Sequence, residues 1–79
     1  MDELEQEILE SLEMIKEDQD ANKKLKEDLD KIITIFKSDE ELKIEKSVLE
    51  LEEINSYTTS YIKTLLWDVI NKLESLNSR

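Results

Sequence analysis

The stretch Glu17-Asp18-Gln19-Asp20-Ala21-Asn22 decides how this chain can fold. Before it, Leu4, Ile8, Leu9, Leu12 and Ile15 recur at the spacing of one helix face; after it, Leu25, Leu29, Ile32, Ile33 and Phe36 do the same. Inside it no apolar side chain is larger than Ala. Its Asp and Asn side chains compete for backbone hydrogen bonds, which makes them good caps and poor helix interiors. The spacing therefore predicts one helix over 2–17 and a second over 21–36, with Asp18 or Asp20 capping the second. A competing register runs straight through, because positions 4, 8, 11, 15, 18, 22, 25, 29, 32 and 36 form an unbroken heptad. One helix through residue 36 would make the fold a long helical hairpin or coiled coil. It would also place Ser11, Asp18 and Asn22 on its seam, and coiled coils tolerate such residues singly rather than in clusters. The two-helix reading is preferred.

Downstream, Ser38-Asp39-Glu40-Glu41 reads as a capping box, in which the Ser oxygen and a Glu carboxylate satisfy each other's backbone amides. The third helix then presents Leu42, Ile44, Val48, Leu49, Leu51 and Ile54. Asn55-Ser56-Tyr57-Thr58 reads as the last turn, with the Thr pair starting helix four. That helix, taken from Tyr57 to Leu76, carries Tyr61, Ile62, Leu65, Val69, Leu73 and Leu76 on one stripe, widened by Leu66 and Ile70. Connections this short force neighbouring helices to run antiparallel, so the expected fold is all-α, a compact up-and-down bundle of four short helices. At 79 residues it is a single domain over 1–79. Lys23, Lys24 and Lys26 sit at the wrong end of helix two for its dipole, and the carboxylates of helix one are their simplest compensation.

The formal net charge is −10 and is unevenly spread. Residues 1–20 hold nine acids and one Lys, a net −8; residues 37–54 hold seven acids and three Lys, a net −4; the segments 21–36 and 55–79 are each +1. Such a layout keeps the chain in solution and favours a basic partner, while it repels nucleic acid and anionic lipid. There is no Cys, so disulfides and thiol catalysis are excluded. The apolar run Ile32-Ile33-Thr34-Ile35-Phe36 falls far short of the roughly 18 residues of a membrane span. The acidic start does not suit a signal peptide, and a cytoplasmic location is expected.

Chemistry-bearing patterns are few. Asp18-Gln19-Asp20-Ala21-Asn22 imitates the opening of a calcium loop, yet Lys23 stands where Gly must turn the chain and Leu29 where a bidentate Glu is required. With no His there is no Glu-x-x-His pair for a bundle metal centre and no imidazole base. Glu3, Glu7 and Glu10 read as a solvated stripe. Lys23, Lys24, Lys26 and Lys31 are interleaved with Glu27, Asp28 and Asp30, which spoils a nucleic-acid face. No catalytic residue, cofactor or metal site is expected. The expected role is that of a non-enzymatic interaction or accessory protein for a basic protein partner; the alternative is an acidic nucleic-acid mimic occupying a basic groove.

Two candidate contact surfaces follow. Trp67, the only Trp, lies off the helix-four stripe. It reads either as an exposed anchor with the Lys63 stem on its ring or, preferred here, as an edge cap on a small core. Met14 and Ile35 also lie off their stripes and would give a second apolar surface for a homo-oligomer.

Once helix four is placed, Thr64-Leu65-Leu66-Trp67-Asp68-Val69-Ile70-Asn71-Lys72-Leu73-Glu74-Ser75-Leu76 resembles the C-terminal signature of a small archaeal helical family, uncharacterised protein family 0147. The likeness extends to Glu17-Asp18 and to Lys37-Ser38-Asp39-Glu40-Glu41. It departs at the start of the last helix, where Tyr61-Ile62-Lys63 replaces a His-x-Arg-like motif, and in the connections, where this chain has no Pro. The resemblance implies a helical bundle, an archaeal source and a cytoplasmic location, and it implies no reaction.

Overall fold

The computed structural model describes residues 2–78 and breaks the chain at the predicted place. Its elements are α1 (Glu3–Lys16), α2 (Lys23–Lys37), α3 (Lys43–Asn55) and α4 (Ser60–Asn77). At the break the Asp18 carboxylate accepts from the Asp20 amide at 2.8 Å, and the Ala21 amide donates to the Asp18 carbonyl at 3.0 Å. Asn22, rather than Asp18 or Asp20, caps α2: its side-chain oxygen accepts from the Leu25 amide at 2.8 Å. Asp18 is spent on shaping the turn, which is the other use of a short carboxylate beside the backbone.

The capping box before α3 does not form. The Ser38 hydroxyl donates to the Ile35 carbonyl at 2.6 Å, closing the end of α2, and its oxygen accepts from the Glu40 amide at 3.3 Å rather than from the Glu41 amide that the box requires. Helix α3 begins four residues further on, after Leu42, with no side-chain cap. The last helix starts at Ser60 rather than Tyr57, capped by Thr59, whose hydroxyl oxygen accepts from the Ile62 amide at 3.4 Å.

Each helix packs on its neighbours in sequence, and α4 closes the ring against α1. The result is an all-α four-helix bundle, and diagonal helix pairs make no close backbone approach. The radius of gyration is 11.6 Å, the value of about 12 Å that a compact chain of this length should have, which excludes the long hairpin. Its core is built from Ile8, Leu12 and Ile15 of α1, Leu25, Leu29, Ile32, Ile33 and Phe36 of α2, Leu51 and Ile54 of α3, and Ile62, Leu66, Val69, Ile70 and Leu73 of α4, with Ala21 at the α1–α2 turn. The α4 face is thus centred on Leu66 and Ile70. Tyr61 of the predicted stripe is exposed, and Leu65 and Leu76 are only half-buried. The shift arises because α4 lies between α1 and α3, and the direction midway between two neighbours becomes its buried line.

Polar ties across three of the four seams accompany the packing. Lys16 meets Asp30 at 2.5 Å, Lys31 meets Glu50 at 3.4 Å, and Lys72 meets Ser11 at 3.4 Å. These are surface contacts worth at most about 1 kcal/mol each, so burial rather than charge holds the ring. The lysines at the start of α2 are not met by α1. Lys24 instead pairs with Asp28 at 3.7 Å and lies over the Tyr57 ring, 5.1 Å from its centroid.

Helix α3 departs most from its predicted face. Only Leu51 and Ile54 of its apolar residues are buried, Ile44 and Val48 are half-buried, and Leu42 and Leu49 face solvent. Its third buried side chain is Ser47, fully enclosed and with a hydroxyl that has no hydrogen-bond partner. An unsatisfied buried hydroxyl costs about 1–3 kcal/mol, and Ser is also a poorer helix former than Ala. Ser47→Ala should therefore stabilise the protein by about 1 kcal/mol, read as a higher denaturation midpoint at unchanged m-value. A lower midpoint would show that the hydroxyl is bonded in solution.

Candidate interaction surface

The solvent face of a helix that repeats every seven residues forms a straight line, and three such lines organise this surface. On α1 the exposed line is Glu3, Glu7, Glu10, Met14 and Glu17. On α3 it is Leu42, Glu45, Leu49 and Glu52, and on α4 it is Ser60, Trp67 and Glu74. On α1 and α3 large apolar side chains are therefore set singly among carboxylates, with Met14 72% exposed, Leu49 64% and Leu42 57%; on α4 Trp67, 47% exposed, stands between Ser60 and Glu74.

Among the described residues three grooves border these lines, one of them, of about 470 Å³, between α1 and Lys37 of α2 beside Glu10 and Met14, and the other two against α4. One, of about 290 Å³, runs between α3 and α4 and is lined by Ile44, Glu45, Val48, Leu49, Glu74 and Asn77. The other, of about 210 Å³, runs between α1 and α4, where Met14 and the exposed Tyr61 face each other across Leu65, with Asp18 and Asp68 beside them. The Lys72 ammonium reaches into the α1–α4 seam, 3.2 Å from Asp68 and 3.4 Å from the Ser11 hydroxyl.

Trp67 does not cap the core. It stands outside the buried cluster and the half-buried ring around it, because Leu66 and Ile70 already fill the direction in which α4 faces the interior. Lys63, one turn before it, is half-buried. The cation–π contacts among the described residues are Lys24 over Tyr57 and Lys43 over Phe36, and none joins the Lys63 ammonium to Trp67. Met14 and Ile35 do not make one surface either. Met14 borders the α1–α4 groove, whereas Ile35 shares its edge of α2 with Asp28 and Lys31, whose partners Tyr57 and Glu50 lie towards α3.

Sequence reasoning also missed a junction. The Tyr57 hydroxyl in the α3–α4 connection donates to the Asp28 carboxylate of α2, and Lys24 completes the group from the same helix. A separation of twenty-nine residues leaves no local pattern to read. The α3 line was missed as well, since Leu42 and Leu49 were assigned to the packing face; the signal that could have separated them is their spacing of seven with Glu45 between.

No group of three or more acidic residues that could hold a metal ion occurs among the described residues, and none of their helices is long and apolar enough to cross a membrane. No family model, curated protein or solved structure matches this chain.

Partial burial of the phenol, then its hydrogen bond to Asp28 and the charge of that carboxylate, raise the pKa of Tyr57 above its ordinary value near 10. The fold favours the neutral phenol, so the contribution of Tyr57 to stability is whole below about pH 10 and is lost as pH climbs through the raised folded-state value. The stability gap between the unmodified protein and Tyr57→Phe should narrow as pH rises above about 10; a gap independent of pH would show that the hydrogen bond is absent in solution. For Trp67, the exposure predicts red-shifted emission that acrylamide quenches freely. Trp67→Ala should cost about 1 kcal/mol or less, against about 3–5 kcal/mol for a buried aromatic.

Proposed function

We propose that this chain is a non-enzymatic interaction protein whose partner is a basic protein. The observation that carries the reading is the composition of its exposed lines, in which carboxylates flank the isolated Met14 on the α1 line and Leu49 on the α3 line, with Trp67 and Glu74 exposed on α4. Carboxylates supply long-range attraction to a cationic surface and accelerate encounter, but exposed charge pairs add little to affinity. Met14, Leu42, Leu49 and Trp67 supply what charge cannot, since aromatic and aliphatic anchors carry most of the energy of a protein interface.

The same observation favours a protein partner over the role of a nucleic-acid mimic. A mimic of the phosphate backbone needs regular charge, and a basic groove built for phosphates offers nothing to an exposed Leu. Here the α1 row is interrupted by Met14, and the α3 row alternates between Leu and Glu. The lack of His and Cys further narrows the routes to catalysis.

Affinity capture from native lysate, eluted in steps of rising salt and repeated with added nucleic acid, tests the proposal. The expected outcome is a basic protein retained at low salt, released at high salt and indifferent to nucleic acid. Retention that is indifferent to salt would count against a basic partner, and displacement by nucleic acid would favour the mimic.

A further inference from the structure

We infer that the groove between α3 and α4 is the docking site for an amphipathic helix of the partner, one whose apolar stripe is flanked by Lys or Arg. This rests on the reading of a basic protein partner and adds where that partner binds and in what form.

The groove has the parts that a helix-in-groove contact requires. Ile44 and Val48 form a half-buried floor, and Leu49 stands on its rim with most of its surface in solvent. Leu49 and Glu74 line the groove from α3 and α4; Leu42, just before α3, precedes Leu49 by seven residues, and Trp67 precedes Glu74 by seven, so on each side the exposed line continues for two turns, or about 10 Å, beyond the groove residue. That interval is the i, i+7 repeat of an opposing helix. Fully burying a side chain such as Leu is worth about 1.5–3 kcal/mol, so the exposed leucines hold binding energy that the fold leaves unused.

Charge identifies the occupant. Glu45 stands on the α3 side and Glu74 on the α4 side, with Glu52 one turn beyond Leu49 on the α3 line. Among the described residues none of these three carboxylates has an ion pair within 4 Å. The lysines of α3 are turned towards α2 and its connection: Lys43 lies over the Phe36 ring and Lys46 pairs with Glu40. Among the described residues no base lines the groove. A second copy of this chain would set its own carboxylates against these, which costs several kcal/mol when like charges are brought together at an interface. A helix with Lys or Arg beside its apolar stripe meets both features at once. The α1–α4 groove suits such a helix less well, because Lys72 already neutralises Asp68 there and lies bonded across the seam.

The test uses isotope-labelled protein and three synthetic peptides: a helical Leu/Lys peptide with Leu at i, i+3, i+4 and i+7, a scrambled peptide of the same composition, and the Leu/Glu counterpart of the first. The amphipathic basic peptide should shift the amide signals of Ile44, Val48, Leu49 and Glu74 and bind more tightly than either control. Leu49→Glu should weaken it by about tenfold or more, while Met14→Glu, equally exposed and outside this groove, leaves it unchanged. Both sites are on the surface, and circular dichroism of each variant establishes that it remains folded. Shifts centred on Met14 and Tyr61 would overturn the site while keeping the basic partner. Equal binding of the scrambled peptide would reduce the contact to diffuse charge attraction and overturn the groove. Binding by none of the peptides would do the same, and the salt-stepped capture would then decide separately whether a basic partner exists. A concentration-dependent dimer abolished by Leu49→Glu would assign the groove to a second copy and overturn the inference.

Discussion

The bundle depends on the reversal between α1 and α2. Its geometry is held by short-range polar contacts: Asp18 accepting from the Asp20 amide, the Ala21 amide returning to the Asp18 carbonyl, and Asn22 accepting from Leu25. The heptad spacing continues through this region in register with polar residues on its seam, so the outcome is decided by what the side chains offer the backbone. Ser11, Asp18 and Asn22 on one seam leave too little burial to offset their desolvation, whereas Asp18 and Asn22 at a turn satisfy amides that would otherwise be orphaned. Once α1 folds back, Ile8 and Leu12 meet the α2 face, and α4 has an edge on which to close the ring.

The helices do not share the core equally. Helices α2 and α4 each bury five apolar side chains, while α3 buries Leu51 and Ile54 together with the unsatisfied Ser47. A helix that contributes so little inside, and still carries Leu42, Ile44, Val48 and Leu49, has its apolar surplus on the outside. Chains this short bury a smaller fraction of their surface than larger domains do, and exposed leucines are stabilisation forgone by the isolated monomer. The element that buries the fewest apolar side chains thus also leaves Leu49 in solvent, with Leu42 exposed just before it.

How much was legible follows from the range of each interaction. Helix content, the number of helices and the break at residues 17–22 were readable because they rest on periodicity and on contacts between residues a few positions apart. The cap before α3 was misread for a related reason: Ser38 has the right type, but its hydroxyl closes α2 on the Ile35 carbonyl and its oxygen accepts from the Glu40 amide, a tighter turn than the box. Trp67 was misread because a helical wheel shows which residues share a face and not how much of that face the neighbours cover.

The sequence by itself determined that this protein is an all-α bundle, that its charge is negative and concentrated in residues 1–20 and 37–54, and that His and Cys chemistry are closed to it. These are properties of composition and local spacing, and no packing arrangement could change them. Only the tertiary structure decided which side of each helix is inside. It rotated the buried line of α4 onto Leu66 and Ile70, left Leu42 and Leu49 in solvent, joined Tyr57 to Asp28, and formed a groove with Glu45 on one wall and Glu74 on the other. The physical reason is that a face becomes interior only when another helix stands against it, and the pairing of helices around a ring depends on the whole set of contacts at once.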